Sequence, residues 1–155
     1  MNNFRIQEFL PDEASNVQNL LKAIFQDLGY RFDLSQKDSD LKDIEKIYFA
    51  NKGKFWMLYD DENFIGTIAI RYSENQYYEL KRFFIHKSAR GRGFGNLALE
   101  HALRYAKENQ MQSLKLDVDV NSQSAIHLYS KFGFKEISAY KNADNSNLKW
   151  FEKIL

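Results

Sequence analysis

A glycine- and arginine-rich segment, residues 88–95, is the part of the sequence whose residue types most directly suggest chemistry. It contains the run Arg90-Gly91-Arg92-Gly93-Phe94-Gly95 between a predicted strand and a predicted helix. Glycine lets the backbone approach a ligand closely, and the N–H groups at a helix start carry about half a positive charge. Such a segment suits a phosphate or pyrophosphate. Basic residues with no intervening acidic residue could add contacts to phosphate: Lys81, Arg82, Lys87, Arg90 and Arg92.

The glycine spacing alone leaves other interpretations open. A Walker loop needs Lys and then Ser or Thr after its last glycine, whereas Asn96 and Leu97 follow Gly95. A dinucleotide-binding fingerprint would need a third glycine at the position of Asn96, and its fold would need more parallel β-α-β repeats than this chain has. A tight turn between strand and helix, with solvated arginines, would also explain the glycines.

The spacing of apolar residues predicts the elements that position this segment. Helices are predicted over residues 11–28, 34–50, 94–109 and 122–132. Strands are predicted over residues 4–6, 55–59, 64–72, 77–86, 114–120, 134–139 and 148–155, with a polar turn over 141–147. The resulting order, β-α-α-β-β-β-α-β-α-β-β, predicts a mixed α/β (α+β) fold. Its sheet is mostly antiparallel and contains one β-α-β unit.

Length and composition limit the class of protein. The 155 residues, 44% hydrophobic and 28% charged, predict one globular domain over residues 1–155. A formal net charge of +1 argues against a general nucleic-acid binder. The absence of cysteine excludes disulfides, thiolate nucleophiles and Cys-ligated zinc. Since no segment approaches the roughly 18 apolar residues of a membrane span, and no signal-like apolar run opens the sequence, we expect a soluble cytoplasmic protein without a membrane partner.

Two segments resemble motifs of the GNAT superfamily of N-acetyltransferases. Arg90, Gly93 and Gly95 match every fixed position of motif A, Arg/Gln-x-x-Gly-x-Gly/Ala. The run Ala125-Ile126-His127-Leu128-Tyr129-Ser130-Lys131-Phe132-Gly133-Phe134 resembles motif B, Ala-Ile-x-Leu-Tyr-x-Lys-x-Gly-Phe. The motifs stand in the family's order, and the resemblance covers nearly the whole chain. It implies a sheet of about seven strands with about four helices, in which two splayed parallel strands, ending near His86 and Val120, form a coenzyme cleft.

The resemblance also implies where acetyl-CoA binds. The pantetheine arm would pair with the backbone of Phe83, Phe84 and Ile85, where one N–H would polarise the thioester carbonyl. Motif B often carries Asn three residues before its Ala; Ser122 stands there, and Asn121 could contact the coenzyme or cap the helix instead. The pyrophosphate would bind the glycine segment: Arg90, Gly91, Arg92, Gly93, Phe94, Gly95 and Asn96.

Two residues match catalytic positions of the family. Tyr129 would protonate the departing thiolate as a general acid, although a tyrosine packed in the core has the same sequence pattern. Glu79 matches the general-base glutamate of the histone-acetylating members, and the alternative is an exposed strand glutamate near Lys81. The resemblance therefore implies direct transfer from acetyl-CoA to a primary amine of a small molecule or peptide. A GNAT-fold module that binds acyl-CoA without turnover, or a phosphate-binding protein of another fold, stays open.

The acceptor is not readable from the sequence. Asp117 and Asp119 share a strand face, which is more typical of solvated or substrate-facing carboxylates than of a metal pair, and we expect no metal. The family is often dimeric, which leaves a homodimer open. An acidic stretch could favour a cationic amine but is more typical of a solvated helix face: Asp33, Asp38, Asp40, Asp43 and Glu45.

Overall fold

The computed structural model describes residues 3–143 and 147–155, so part of the predicted polar turn 141–147 lies outside the described residues. Its strands are β1 (Phe4–Glu8), β2 (Lys54–Asp60), β3 (Asn63–Tyr72), β4 (Tyr78–Ile85), β5 (Ser113–Asp119), β6 (Lys135–Ile137) and β7 (Leu148–Ile154). Its α-helices are α1 (Ala14–Leu28), α2 (Ile44–Tyr48), α3 (Phe94–Glu108) and α4 (Gln123–Lys131). Within the two described ranges, no helix has the length and apolar character that a membrane span requires.

The strands form one mixed sheet, as predicted. Their spatial order is β1-β2-β3-β4-β5-β7-β6, and every neighbouring pair is antiparallel except β4 and β5. In the described part of the chain, the register of β4 and β5 holds one pair, Glu79 with Lys115. The two parallel strands therefore separate beyond Glu79, which confirms the splayed pair that the resemblance implies.

Helices cover both faces of the sheet and enclose two cores. On one face, α3 and α4 pack on strand residues around Leu99, Leu114 and Tyr129. On the other face, α1 and α2 bury Leu21 and Tyr48 against the sheet. The sheet thus forms the middle of three layers, and the gap between β4 and β5 opens between the two cores.

A β-bulge in β4 produces the change of direction. The register with β3 shifts between Thr67 and Ala69, and Arg82 has a left-handed φ of 51°. Leu80 lies in the core under α3 and α4, whereas Phe84 packs in the core under α1 and α2. On a regular strand, Leu80 and Phe84 would face the same side of the sheet, because they are four residues apart. Here they face opposite sides, so the bulge reverses the alternation of side chains and bends the strand.

The second predicted helix, over residues 34–50, is mostly wrong. Residues 34–38 form turns, and a 3₁₀ turn over Ser39–Lys42 precedes the short helix α2. The Asp33 carboxylate accepts the Ser35 N–H at 3.0 Å, and the Asp38 carboxylate accepts the Asp33 N–H at 2.8 Å. Such side-chain bonds to the backbone compete with helical bonds, which explains the irregular segment.

The remaining boundaries agree with the predictions apart from two shorter elements. Pro11–Glu13 forms a 3₁₀ turn that precedes α1, and Gly29 ends this helix in a left-handed conformation. Strand β6 covers Lys135–Ile137 instead of residues 134–139. The Phe134 N–H donates to the Tyr129 carbonyl at 3.0 Å, which ties it to the end of α4 and delays the strand.

Candidate active site

The glycine segment has the backbone that its sequence predicts. Gly91 and Gly93 have φ values of 76° and 84°, in the left-handed region where a side chain causes strain. Gly95 differs, because a Cβ added there would meet Leu128 Cδ2 at 3.5 Å, an ordinary contact. The first two glycines are therefore required by the turn, and the third is not.

The start of α3 presents N–H groups without partners in the helix. Leu97 is the first residue of this turn to donate a helical bond, to the Gly93 carbonyl at 3.3 Å. The N–H groups of Phe94, Gly95 and Asn96 precede it, and a helix gives its first N–H groups no acceptor. Together with the helix dipole, they form a site for an anionic group.

Basic side chains surround this turn in different ways. Arg90 Nε donates to the Ile85 carbonyl at 2.9 Å, which fixes the segment to the end of β4. Lys131 Nζ, on α4, donates to Asn96 Oδ1 at 2.8 Å and brings a positive charge to the start of α3. The sequence interpretation did not include Lys131, although it stands in the run that resembles motif B.

Other basic residues of the predicted cluster have acidic partners. Arg92 Nη1 lies 2.8 Å from Asp60 Oδ2, and its guanidinium lies 4.7 Å from the centre of the Phe94 ring. Lys87 pairs with Asp27 at 3.3 Å. Arg82 lies in a buried ion pair with Asp38 and Asp40. Arg82 therefore ties β4 to the segment that carries Asp38 and Asp40. These two aspartates are not on a solvated helix face.

The outer edge of β4 lacks a strand partner where the sheet opens. Phe84 and Ile85 pair with β3 through Thr67 and Gly66 on one side. On the other side, no register pair with β5 is present past Glu79 among the described residues. The backbone of Phe83, Phe84 and Ile85 can therefore pair with an extended ligand in the manner of an added strand.

Tyr129 is both a core residue and a group of the cleft. It is 6% exposed, and its ring packs against Phe83 and Phe134 with centres 6.2 and 5.6 Å away. Burial raises the pKa of the Tyr129 hydroxyl, and the charge of Asp117 raises it further. Only burial and the Asp117 charge act on this pKa, with no hydrogen bond to the hydroxyl among the described residues. The hydroxyl is therefore protonated at neutral pH and available as a donor.

Glu79 is buried, in contrast to the exposed strand glutamate that was the alternative. Its Oε2 accepts a bond of 2.8 Å from the Tyr140 hydroxyl and one of 2.7 Å from Lys141 Nζ. Burial opposes ionisation, but the charge of Lys81 and the bond from Lys141 outweigh it and lower the pKa of Glu79. The side chain is therefore a carboxylate at neutral pH.

Lys141, which the sequence interpretation missed, lies between Glu79 and Asp117. Lys141 Nζ also lies 3.6 Å from Asp117 Oδ2, and Asp117 is the charge that acts on the Tyr129 hydroxyl. Tyr140 and Lys141 follow β6, at a distance of 61 and 62 residues from Glu79 in the sequence. No local pattern could have indicated these contacts.

Asn121 and Asp119 lie at the end of β5. Asn121 is exposed, and its N–H donates to Asp119 Oδ1 at 2.8 Å. Ser122 holds the N-cap position of α4 without a side-chain cap bond. Within residues 3–143 and 147–155, no group of at least three His, Cys, Asp or Glu side chains could hold a metal ion.

Known proteins share both the sequence pattern and the fold. Residues 16–134 match the model of the Acetyltransferase (GNAT) family. The chain is 31% identical to streptothricin acetyltransferase A of Bacillus subtilis over 120 residues, which cover 72% of this chain and 69% of that protein. It is 29% identical to N-alpha-acetyltransferase 50 of Danio rerio over 119 residues, which cover 72% of this chain and 66% of that protein.

A solved structure supports the same architecture. A GNAT-family acetyltransferase from Staphylococcus aureus Mu50 superposes with a TM-score of 0.84 at 23% identity, over 97% of this chain and 98% of that one. At this identity the likeness concerns the fold. The splayed strands, the glycine turn and the helix that follows thus belong to an architecture found in solved acetyltransferases.

Proposed function

The chain belongs to the GNAT acetyltransferase family, and from this premise we propose that it transfers the acetyl group of acetyl-CoA directly to a primary amine of a small molecule or peptide. One observation carries the proposal. Lys141 binds the Glu79 carboxylate and lies 3.6 Å from Asp117, and the charge of Asp117 in turn acts on the Tyr129 hydroxyl. A carboxylate base and a protonated acid are thus coupled through one lysine and one aspartate near the place where the strands separate.

The residues present fit acetyl-CoA. Its pantetheine amides can pair with the unpaired edge at Phe83, Phe84 and Ile85. Its pyrophosphate suits the N–H groups at the start of α3, with Lys131 as a nearby cation. The Tyr129 ring packs against the ring of Phe83, one of the residues of the edge that would hold the reactive end of the coenzyme.

The proposed reaction divides two proton transfers between Glu79 and Tyr129. The Glu79 carboxylate takes a proton from the acceptor ammonium, directly or through water, because only the neutral amine attacks. A C–N bond forms as the C–S bond breaks, and a backbone N–H near Phe84 or Ile85 stabilises the oxyanion. Tyr129 gives its proton to the sulfur, and the second proton of the attacking nitrogen, which is lost as the amide forms, returns through water to the Tyr129 oxygen. The names of the relatives, a streptothricin acetyltransferase and an N-alpha-acetyltransferase, support a nitrogen acceptor without favouring one class of amine.

Calorimetry with acetyl-CoA tests the coenzyme site, with Gly93→Ala as the informative variant. We expect the wild type to bind and Gly93→Ala to bind about tenfold more weakly, because alanine in the left-handed region costs roughly 1–2 kcal/mol and turns the N–H groups away. Gly95→Ala is the matched control, since its added methyl group meets only ordinary contacts. Equal weakening by both variants would contradict the role of the turn.

Thiol release in the presence of a panel of amines completes this test. Release that depends on both acetyl-CoA and an amine is the result expected of an acetyltransferase. Binding without release by any amine would favour the alternative of an acyl-CoA-binding module. If acetyl-CoA does not bind, the proposed donor is wrong.

The ionisation of Glu79 gives a further prediction about pH. Because the pKa of Glu79 lies below its ordinary value of 4.5, the carboxylate should persist through neutral pH and lose its charge only below 4.5. A ¹³C NMR titration of the glutamate carboxyl carbons, with the signal assigned by Glu79→Gln, measures this pKa directly. We expect no loss of acetyl transfer through Glu79 protonation down to about pH 5. A pKa of Glu79 above 4.5 would contradict the prediction.

A further inference from the structure

The chain places one of its own ammonium groups on the proposed base. Lys141 Nζ lies 2.7 Å from Glu79 Oε2 and 3.6 Å from Asp117 Oδ2. Burial opposes the charge of Lys141, but the hydrogen bond and the charge of Glu79 outweigh it and raise the lysine pKa. The cleft therefore holds a primary alkylammonium ion between two carboxylates.

This ion has the chemistry of the acceptor. An alkylamine arrives as an ammonium ion and must give its proton to Glu79 before it attacks. The second carboxylate, Asp117, is the charge that raises the pKa of the Tyr129 hydroxyl, so the ion binds the proposed base and a carboxylate that is coupled to the proposed acid. In the proposed reaction, Lys141 therefore occupies the place on Glu79 where the acceptor ammonium binds.

Aromatic rings beside the ion also suit a cation. Lys141 Nζ lies 5.8 Å from the centre of the Tyr140 ring, and Tyr140 packs edge-on against Tyr77 and Trp150, with centres 5.1 and 4.9 Å away. Ring faces attract cations at such distances. Lys115 Nζ lies 5.2 Å from the centre of the same Tyr140 ring, so these surroundings already accommodate ammonium groups and suit a charged amine.

Lys141 can leave this place without breaking the sheet. It lies in the connection between β6 and β7, and its side chain is 29% exposed, whereas that of Glu79 is 7% exposed. Rotation of the side chain into solvent would remove the ammonium group from the Glu79 carboxylate, which keeps its bond from the Tyr140 hydroxyl, and the pairing of the strands would not change. A group that binds from inside the chain lowers the apparent affinity of any ligand that must replace it.

We propose, on the basis of the proposed function, that Lys141 is an internal surrogate for the acceptor: an aliphatic primary amine displaces it as an ammonium ion and takes its place on Glu79 and Asp117. In the free protein Lys141 shields the base. The acceptor class is then an alkylamine that is protonated at neutral pH. An arylamine, which is neutral at that pH, does not replace Lys141 effectively.

Steady-state kinetics with benzylamine tests this inference. We expect Lys141→Met to lower the KM for benzylamine about tenfold with little change in kcat, because the competitor is gone. Lys141→Arg retains the charge and should not lower the KM. Lys149→Met is the matched control, since Lys149 pairs with Glu136 at 3.7 Å on the surface. An ion pair that only holds the structure predicts the opposite, a higher KM or lower stability on loss of Lys141.

NMR titration of Glu79 adds a measurement that does not need turnover. The pKa of Glu79 should rise in Lys141→Met, because a positive charge that favours the carboxylate is removed. Saturating benzylamine should lower it again in this variant, and aniline should not. If Lys141 and Glu79 form only a structural ion pair, the pKa of Glu79 should rise in Lys141→Met, but benzylamine should not lower it again.

The outcomes separate this inference from the proposed function. If the wild type transfers acetyl groups to amines but Lys141→Met has an unchanged or higher KM, the surrogate role is overturned and the enzyme assignment stands. If the wild type does not bind acetyl-CoA, the proposed function fails. In that case the effect of benzylamine on the Glu79 pKa still decides whether the cleft binds an ammonium ion.

Discussion

Tyr129→Phe is expected to lower the kcat of acetyl transfer by about 10²–10⁴-fold, the usual contribution of a general acid. The hydroxyl is protonated because burial and the charge of Asp117 both raise its pKa. The same burial disfavours a thiolate leaving group, which therefore needs a proton as it departs. Phenylalanine retains the ring contacts with Phe83 and Phe134 and removes only the oxygen.

The fold and the coenzyme site should survive this change. No described residue loses a hydrogen bond with the Tyr129 hydroxyl, so urea unfolding and acetyl-CoA calorimetry should match the wild type. Tyr105→Phe is a suitable control, because its hydroxyl donates to the Lys52 carbonyl at 2.9 Å, away from the cleft. A kcat of Tyr129→Phe equal to that of Tyr105→Phe would show that another group, such as water, protonates the sulfur.

The part of the site that depends on local backbone chemistry could be predicted from the sequence. Gly91 and Gly93 stand between a strand and a helix, and both have the left-handed φ values that favour glycine. The N–H groups that follow are a property of any helix start. Outside residues 34–50, the strand and helix boundaries lie close to those that the apolar periodicity predicts, because most of these elements bury one regular face.

The parts that depend on distant partners could not be predicted. The acidic stretch around Asp38 and Asp40 has helical spacing of its apolar residues, but the two carboxylates bind Arg82, 44 and 42 residues away in the sequence. The bond from Lys141 to Glu79 could not be predicted either, because the two residues are 62 positions apart in the sequence. In both cases the residue types are visible in the sequence, but the choice of partner is made by the sheet order, which brings separate segments together.

Arg82→Met is expected to lower the free energy of unfolding by about 3–5 kcal/mol, because it leaves the buried Asp40 carboxylate without its ion-pair partner and Asp38 with only the half-exposed Lys37. Arg82 Nη1 lies 2.9 Å from Asp38 Oδ1, and its Nε and Nη2 bind both oxygens of Asp40 at 3.0 and 2.5 Å. The side chains of Arg82 and Asp38 are 10% and 3% exposed. Urea unfolding of Arg104→Met, an exposed helix pair with Glu100, provides the control, with a loss of about 0.5 kcal/mol or less.

The same variant tests whether this ion pair holds β4 away from β5. The left-handed φ of Arg82 is the centre of the bulge, and the Thr67 hydroxyl donates to the Arg82 carbonyl at 2.6 Å. Methionine cannot bind Asp38 and Asp40, so the bulge loses its anchor on the side of α2. We therefore expect weaker acetyl-CoA binding by calorimetry even where Arg82→Met is still folded. Unchanged binding would mean that Thr67 suffices to hold the strand.

Acidification should reduce the stability difference between Arg82→Met and the wild type. In the wild type, burial opposes the charge of Asp40, but the bonds from Arg82 outweigh it and hold the pKa of Asp40 below its ordinary 3.8. Stability from this carboxylate is therefore present above pH 3.8 and lost as the pH falls through the lower, folded-state pKa. Without Arg82, only the bond from the Tyr48 hydroxyl and the charge of Lys81 still oppose the effect of burial, so the Asp40 pKa rises and the variant takes up this proton at a higher pH. A stability difference that stays constant during acidification would show that lost packing, rather than an uncompensated charge, destabilises the variant.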